Sequence, residues 1–480
     1  MEGPVIRFRF SLAILACGLA LSFTAAAAEP RAASGGLVAL VEPAELADSL
    51  SPDQLAEVQA AIAAYAQRHP SRPGKNEEPF VYPFFPQAGV LGRDLFLNNF
   101  TDLDPSSGLI RDWDCSGYTY DGHQGHDSLI RSFREQAIGV PVFAARDGVV
   151  VETHDGEPDM NTRWDPQTRA NLVVIDHGGG YFAWYLHFRR DSVAVSPGEA
   201  VAAGTQIGLT GSSGFSDWPH LHFETRKDGR WLEPSAGPCR AGESLWRAQP
   251  PVLRDFYVAD FYMARGAISI PDAATFFLDE VARTATFVKG VETVSLRADL
   301  RNLPANSTFR LRILTPHGKV AFEDAGSFEN PALDRLALGL FTFELDFDVL
   351  GNWRLQAEVN DALAVDVPFR VVATAQQVKN RPPNRITTHL SPSKPVEGEV
   401  LTCEIQTSLI TEDPDFDVVS YRYEWRINNH VVRSVTSAAL TDLLPAGAAK
   451  PKDRVTCRVV PADSKSLGKA AVAAGMVEEQ

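Results

Sequence analysis

The sequence holds only five cysteines in 480 residues, and no two of them form a C-x-x-C pair. A thiolate metal site of the zinc-ribbon kind is thereby excluded. No apolar run approaches the ~20 residues that a bilayer-spanning helix needs. Basic excess is lacking too: 45 Lys and Arg face 61 Asp and Glu, a formal net charge of -16. A chain whose main partner is nucleic acid usually carries the opposite balance, so that class is set aside. The 35 glycines and 32 prolines are scattered, which excludes a collagen or a low-complexity coat, and no tandem repeat is visible. What remains, 44% hydrophobic and 22% charged residues, is globular, and the length suggests about three domains.

Residues 1–28 have the layout of a secretory signal peptide. Arg7 and Arg9 form a positive n-region, Ser11 to Phe23 an apolar stretch, and Ala25 to Ala28 offer small-residue cleavage sites. The apolar stretch is too short to span a bilayer. An alternative is a lipoprotein anchored at Cys17, with Ile14-Leu15-Ala16 as a degenerate lipobox. The mature chain is expected to be exported, periplasmic or extracellular, with no transmembrane segment and in an oxidising compartment. Cys115, Cys239, Cys403 and Cys457 then allow three pairings. Sequence neighbourhood favours Cys115–Cys239 and Cys403–Cys457.

The coarse pattern is mainly β. Leu46, Leu50, Leu55, Val58, Ile62 and Tyr65 recur at helical steps, predicting a helix over 44–67 with Ser51 and Gln54 as a capping box. A turn-rich linker follows to residue 80. Short apolar runs at Phe143, Gly148, Asn171 and Gly180 read as strands of a mostly antiparallel domain over 81–245. Alternating runs predict a β-sandwich over 252–375. Residues 385–472 carry Cys403, Trp425 and Cys457 at spacings that suggest an immunoglobulin-like sandwich. It lacks the Tyr expected two residues before the second Cys, where Val455 stands.

Seven of the 11 histidines fall between residues 123 and 222. In His123-Gln-Gly-His-Asp127, an extended strand would turn His123 and Asp127 to one face. In His220-Leu-His222 the two histidines share a face, with Leu221 on the other. Tyr185-Leu-His187 adds a third group. Each group alone is weak, because a lone HxH is more often an incidental polar face.

Together, in order, they read H-x-G-x-D, then Asn171-Leu-Val-Val-Ile-Asp-His, then Tyr185-Leu-His187, a glycine-rich stretch to Gly214, and Pro219-His-Leu-His-Phe-Glu224. This run resembles the catalytic domain of the lysostaphin/LytM-type zinc metallopeptidases, which cleave peptidoglycan peptides. The resemblance covers Gly122 to Glu224 and not the flanking regions. It implies one Zn²⁺ held by His123, Asp127 and His222, and two non-ligand catalytic histidines, His187 and His220. Two neutral imidazoles and one carboxylate would leave a net positive site suited to activating water. Glu224 is a candidate acceptor for a ligand imidazole. Trp218 and the insertion Asp155 to Arg169 are expected to border the groove; Tyr181, Trp184 and Tyr185 read as core, with a reach towards the groove as the alternative for Tyr185. Asn171 stands between loop support and substrate contact. His126, His154 and His177 are read as non-ligands.

The resemblance implies a zinc endopeptidase acting on peptidoglycan peptides; the N-terminal layout adds export, and the C-terminal modules are expected to place it on wall glycan or protein. Two other classes stay open. One is a non-catalytic regulator of wall amidases, which the complete set of site residues argues against. The other is an adhesion protein, whose binding would survive chelation. Residues 29–80 are a candidate lid over the groove. Asp413-Pro-Asp415-Phe-Asp417 resembles a calcium loop, but lacks the glycine and distal glutamate such loops use, and reads better as a solvated connection.

Overall fold

The computed structural model describes the backbone of residues 34–39 and residues 50–69, 79–163, 165, 167–268 and 281–479. The expected signal peptide, Leu46 and most of the 71–79 linker lie outside them. Among the described residues no helix is long and apolar enough to cross a membrane.

The mainly β expectation is borne out. An antiparallel sheet carries, in spatial order, Phe96–Asn99, His126–Leu129, His220–Lys227, Tyr181–Leu186, Leu172–Asp176, Gly148–His154 and Ala200–Val201. Its strands alternate, so each has two distinct faces. One face buries Val173, Ile175, Ala183, Tyr185, Leu221 and Phe223 with Tyr82 and Trp246. The other carries Leu172, Val174, Trp184 and Leu186, and continues into His222 and Asp127. Tyr185 therefore points away from the groove: its hydroxyl accepts from the Ala145 amide at 2.9 Å on the far face. A one-turn-and-a-half helix, Phe133–Ile138, has no long apolar period and was not expected. It is set by Ser132, whose hydroxyl accepts the Glu135 amide.

The N-terminal helix spans Pro52–Arg68, capped by Ser51. Gln54 does not reach back as a capping box would. Its side-chain amide instead donates to the Ala170 carbonyl at 2.7 Å and accepts from the Ala170 amide at 2.9 Å. Leu50, Leu55, Val58, Ile62 and Tyr65 cluster with Val151, Leu172, Val174, Trp184 and Leu186. The helix thus lies on the same sheet face as the histidines.

Two sandwiches follow. In the middle one, Tyr257–Arg265, Gly290–Leu303 and Asp334–Phe347 face a five-stranded sheet, with Phe287, Phe347, Trp353 and Phe369 in the core. Its fourth edge strand, Ser34–Ala39, comes from the N-terminal region, where sequence suggested only helix and linker. In the last sandwich, a three-stranded and a four-stranded sheet enclose Trp425, Cys403 and Cys457. The structure pairs Cys403 with Cys457 and Cys115 with Cys239.

The modules are not a loosely appended array. Leu336 and Leu338 of the middle sandwich bury against Leu129, Phe133 and Trp218. In the last sandwich, the Leu440 amide donates to Asp94, and Arg433 donates to Gln206. The Asp413–Asp417 loop is not solvated as expected. Asp413 and Asp415 are buried, and Asp415 pairs with Arg381 at 2.8 Å.

The Cys115–Cys239 bridge spans a sequence separation of 124 that includes every strand of the sheet described above except Phe96–Asn99. Replacing both by serine is expected to lower stability by roughly 3–5 kcal/mol, read as a fall in thermal midpoint, while Cys403–Cys457 persists in non-reducing peptide maps.

Candidate metal centre

Strand register builds the site. His126–Leu129 pairs with His220–Lys227 so that Asp127 lies opposite His222 and Leu129 opposite His220. His123 joins them from a turn, not from the strand as the i, i+4 reading supposed: the strand begins at His126. The His123 amide donates to the Tyr120 carbonyl, and the Tyr120 ring packs on His123 at 4.4 Å. Gly125 is required by contact. A Cβ there would lie 2.7 Å from the Phe223 carbonyl oxygen and 2.9 Å from His222 Nε2.

Donor atoms of His123, Asp127 and His222 all lie within 4.8 Å of one another. His123 Nε2 is 3.1 Å from Asp127 Oδ2, His222 Nδ1 is 2.8 Å from Asp127 Oδ1, and the two ring nitrogens are 3.2 Å apart. The outer nitrogen of each ring is committed elsewhere. His123 Nδ1 meets the Phe100 carbonyl at 2.7 Å, and His222 Nε2 meets Glu224 Oε1 at 3.2 Å. A carbonyl only accepts, so Nδ1 of His123 carries its proton. A neutral His222 donating to Glu224 likewise turns a bare Nδ1 inwards. Two imidazole lone pairs and a carboxylate then converge on one buried point, which calls for a positive charge. The donor set therefore fits a divalent cation of borderline hardness.

The electrostatics also call for positive charge at this point. Burial opposes charge on His222, yet its bonds to Asp127 and Glu224 raise its pKa to about 9, so the ring gives up its inward proton readily only to another cation. Burial would raise Asp127, but the surrounding imidazoles of His123, His220 and His222 hold it well below the usual carboxylate range.

His187 and His220 stand beside this triad, their rings 4.4 Å apart. Nδ1 of His187 donates to the Ser213 carbonyl at 2.7 Å, and Nδ1 of His220 to the Trp218 carbonyl at 2.7 Å. In both, Nε2 is left with its lone pair; that of His220 lies 3.6 Å from Asp127 Oδ1. Burial pushes His187 well below the ordinary imidazole value and His220 below it, so both favour the neutral form. His187 holds a positive φ of 66°, unusual for a non-glycine residue, and this bend turns its ring in towards His220.

Other sequence candidates fall outside. His126 points to the far face and pairs with Glu233 at 2.8 Å. His154 pairs with Glu157, and His177 meets the Asp147 carbonyl. Asn171 is loop support: it binds Glu157 through its amide and carbonyl and donates to the Phe188 carbonyl. Trp218 is buried, not lining an open groove, because it donates to the Ile130 carbonyl at 2.8 Å beneath the middle sandwich. Asn99, unremarked in sequence, donates to Asp127 Oδ2 at 3.1 Å. No local pattern marks it, since the strand register alone brings it there.

Residues 123–234 match the profile of Peptidase family M23. The chain is 40% identical over 93 residues to peptidoglycan DD-endopeptidase ShyA of Vibrio cholerae, a stretch covering 19% of each protein. It is 36% identical over 118 residues to lysostaphin of Staphylococcus simulans, covering 22% of each. The solved catalytic domain of that lysostaphin is similar at 23% identity, over 30% of this chain and 89% of the other, with a TM-score of 0.20. The chain spans about a fifth of the length of the curated relatives it matches. It therefore carries a peptidase family M23 domain, flanked by regions these relatives do not align with.

Asp127→Asn or His222→Ala should abolish stoichiometric retention of a divalent metal after dialysis, measured by elemental analysis. His126→Gln should keep the metal and lose about 2 kcal/mol of stability, because it weakens the buried bond to Glu233.

Proposed function

We propose that the chain is an exported, zinc-dependent endopeptidase that hydrolyses peptide cross-links of bacterial peptidoglycan. The observation that carries this reading is the convergence of three buried donor atoms beside two further neutral imidazoles, each with Nε2 free. The names of the relatives supply the substrate class.

His123 Nε2, Asp127 and His222 Nδ1 would hold the zinc. When bound, the ion supplies a Lewis acid that polarises the scissile carbonyl and acidifies a water. The remaining work falls to this chain. Nε2 of His187 or His220 takes the proton of the attacking water, and the N–H so formed is the donor that faces the oxygen that becomes negative, with the second ring packed 4.4 Å away. The protonated nitrogen then returns its proton to the leaving amine. The imidazole that acts as base must start neutral, which its burial favours. The Ser213 and Trp218 carbonyls hold both rings in the required tautomer.

Access is narrow in the intact chain. His123, Asp127, His187 and His222 are all buried, and Leu336 and Leu338 cover Leu129 and Trp218 beside His220. A cross-linked strand enters once this face of the middle sandwich separates. The C-terminal modules then engage wall glycan or protein, with nucleic acid playing no part.

Mass spectrometry of muropeptides from cross-linked sacculi tests the reading. The mature protein with zinc should convert cross-linked dimers to monomers, and His222→Ala should not. No conversion by a folded, zinc-loaded chain would remove the endopeptidase reading in favour of a non-catalytic regulator. His187→Ala and His220→Ala should each retain zinc and lose at least about 100-fold in kcat/KM.

The acid limb of activity follows from the lowered imidazoles. A base whose pKa lies below 6.5 keeps its lone pair at pH 6.5 and loses it only on further acidification. The acid limb of the kcat/KM profile should therefore lie at lower pH than the titration of an ordinary histidine, read from activity measured across a pH series.

A further inference from the structure

We propose that the helix Pro52–Arg68 is a brace for the metal centre, and that Trp184, Arg226 and Glu224 are positioning residues linking it to His222. The inference rests on the reading that His123, Asp127 and His222 hold zinc.

The contacts are continuous. Leu50 and Val58, both buried, pack in one cluster with Trp184, and Gln54 ties the helix to the Ala170 backbone. The Arg226 guanidinium lies 3.8 Å over the Trp184 ring. Its Nε donates to Glu224 Oε2 at 2.6 Å, and the other oxygen of Glu224 meets His222 Nε2. Another Arg226 nitrogen donates to Gln124 Oε1 at 2.8 Å. Gln124 is the neighbour of His123. One guanidinium therefore ties together the two chain segments that supply the ligands.

The helix matters because it keeps this chain of contacts dry. Arg226 is 6% exposed and Trp184 1%. A cation over an aromatic ring is held more strongly when the pair is desolvated than in water. Undocking the helix would open the Trp184 face to water, loosen Arg226, and free Glu224 and Gln124 together. The bonds that set the orientation of His222 would weaken without any ligand being touched. A lid behaves differently: its release changes access to the cleft and leaves the metal's hold unchanged.

The test is the zinc dissociation constant of the full mature chain by chelator competition, paired with the absorption spectrum of the cobalt-substituted protein. Arg226→Met should weaken zinc by about 10-fold or more, and Arg226→Lys should restore part of that loss by keeping a cation beside Glu224. Val58→Asp and Gln54→Ala, remote from the metal, should each weaken zinc by about threefold or more and shift the cobalt bands. Ala63→Asp, on the exposed face of the same helix, should leave both unchanged. If Val58→Asp does not fold, Gln54→Ala decides. Wild-type affinity and spectrum in helix variants whose residues 52–68 have become protease-sensitive would overturn the brace and leave the helix a cover. A wild-type chain that binds no zinc would overturn the functional reading at the first step, and the brace with it.

Discussion

The site depends on one strand register. His126–Leu129 runs antiparallel to His220–Lys227 with Asp127 opposite His222. Side chains alternate across a strand, so a slip of one residue would bring Leu221 or Phe223 to face Asp127 and turn both histidines into the far-side core. That register is pinned from both faces. Behind the sheet, Leu221 and Phe223 are locked into an aromatic cluster with Tyr82, Tyr185 and Trp246. In front, Gly125 presses so closely on Phe223 and His222 that no side chain fits. The apolar face thus does chemical service: it fixes which side chains the polar face can present.

Register alone would leave four imidazoles free to choose tautomers. The structure removes the choice largely with backbone. Carbonyls of Phe100, Ser213 and Trp218 take the Nδ1 protons of His123, His187 and His220. His222 is the exception, turned the other way by the carboxylate of Glu224. The outcome is one ring that presents Nδ1 and three that present Nε2. The nitrogens presented by His123 and His222 face Asp127 in the donor cluster, and those of His187 and His220 stay beside it.

Much of this was legible in the sequence because the chemistry demands particular residues at short spacings. His220 and His222 share a strand face by simple alternation, and His123 and Asp127 lie close enough in sequence to meet by either a strand or a turn. What sequence could not show was contributed from a distance. The carbonyl partners of the histidines carry no side-chain signature. Trp218 has the composition of a groove residue, but a neighbouring module buries it. Tyr185 is core, as its uneven alternation suggested; it precedes His187 by two residues, but the positive φ at His187 breaks the alternation that would put both on one face. The strand Ser34–Ala39 was missed because its partner, Asp334–Phe347, lies some 300 residues away. No local periodicity reports such a pairing.

The contacts between modules combine buried charged groups with apolar packing. Arg131 of the peptidase domain pairs with Glu412 of the last sandwich at 3.3 Å, and Arg283 of the middle sandwich donates to the Phe416 carbonyl beside it. Arg335 donates to the Leu97 carbonyl at 2.6 Å and stacks on Tyr118. Pairs of this kind add little net stability, because each charge gives up water to enter the interface. They are directional, however, and hold the bodies in one orientation. If these faces part, the same charges regain water, so the polar pairs oppose separation less than apolar contacts of equal area do. Apolar contacts share the interface: Leu336 and Leu338 pack with Leu129, Phe133 and Trp218, and Ala438, Ala439 and Leu443 pack with Leu95, Ile130 and Phe143. These apolar patches, and not the charged pairs, set most of what parting the modules would cost.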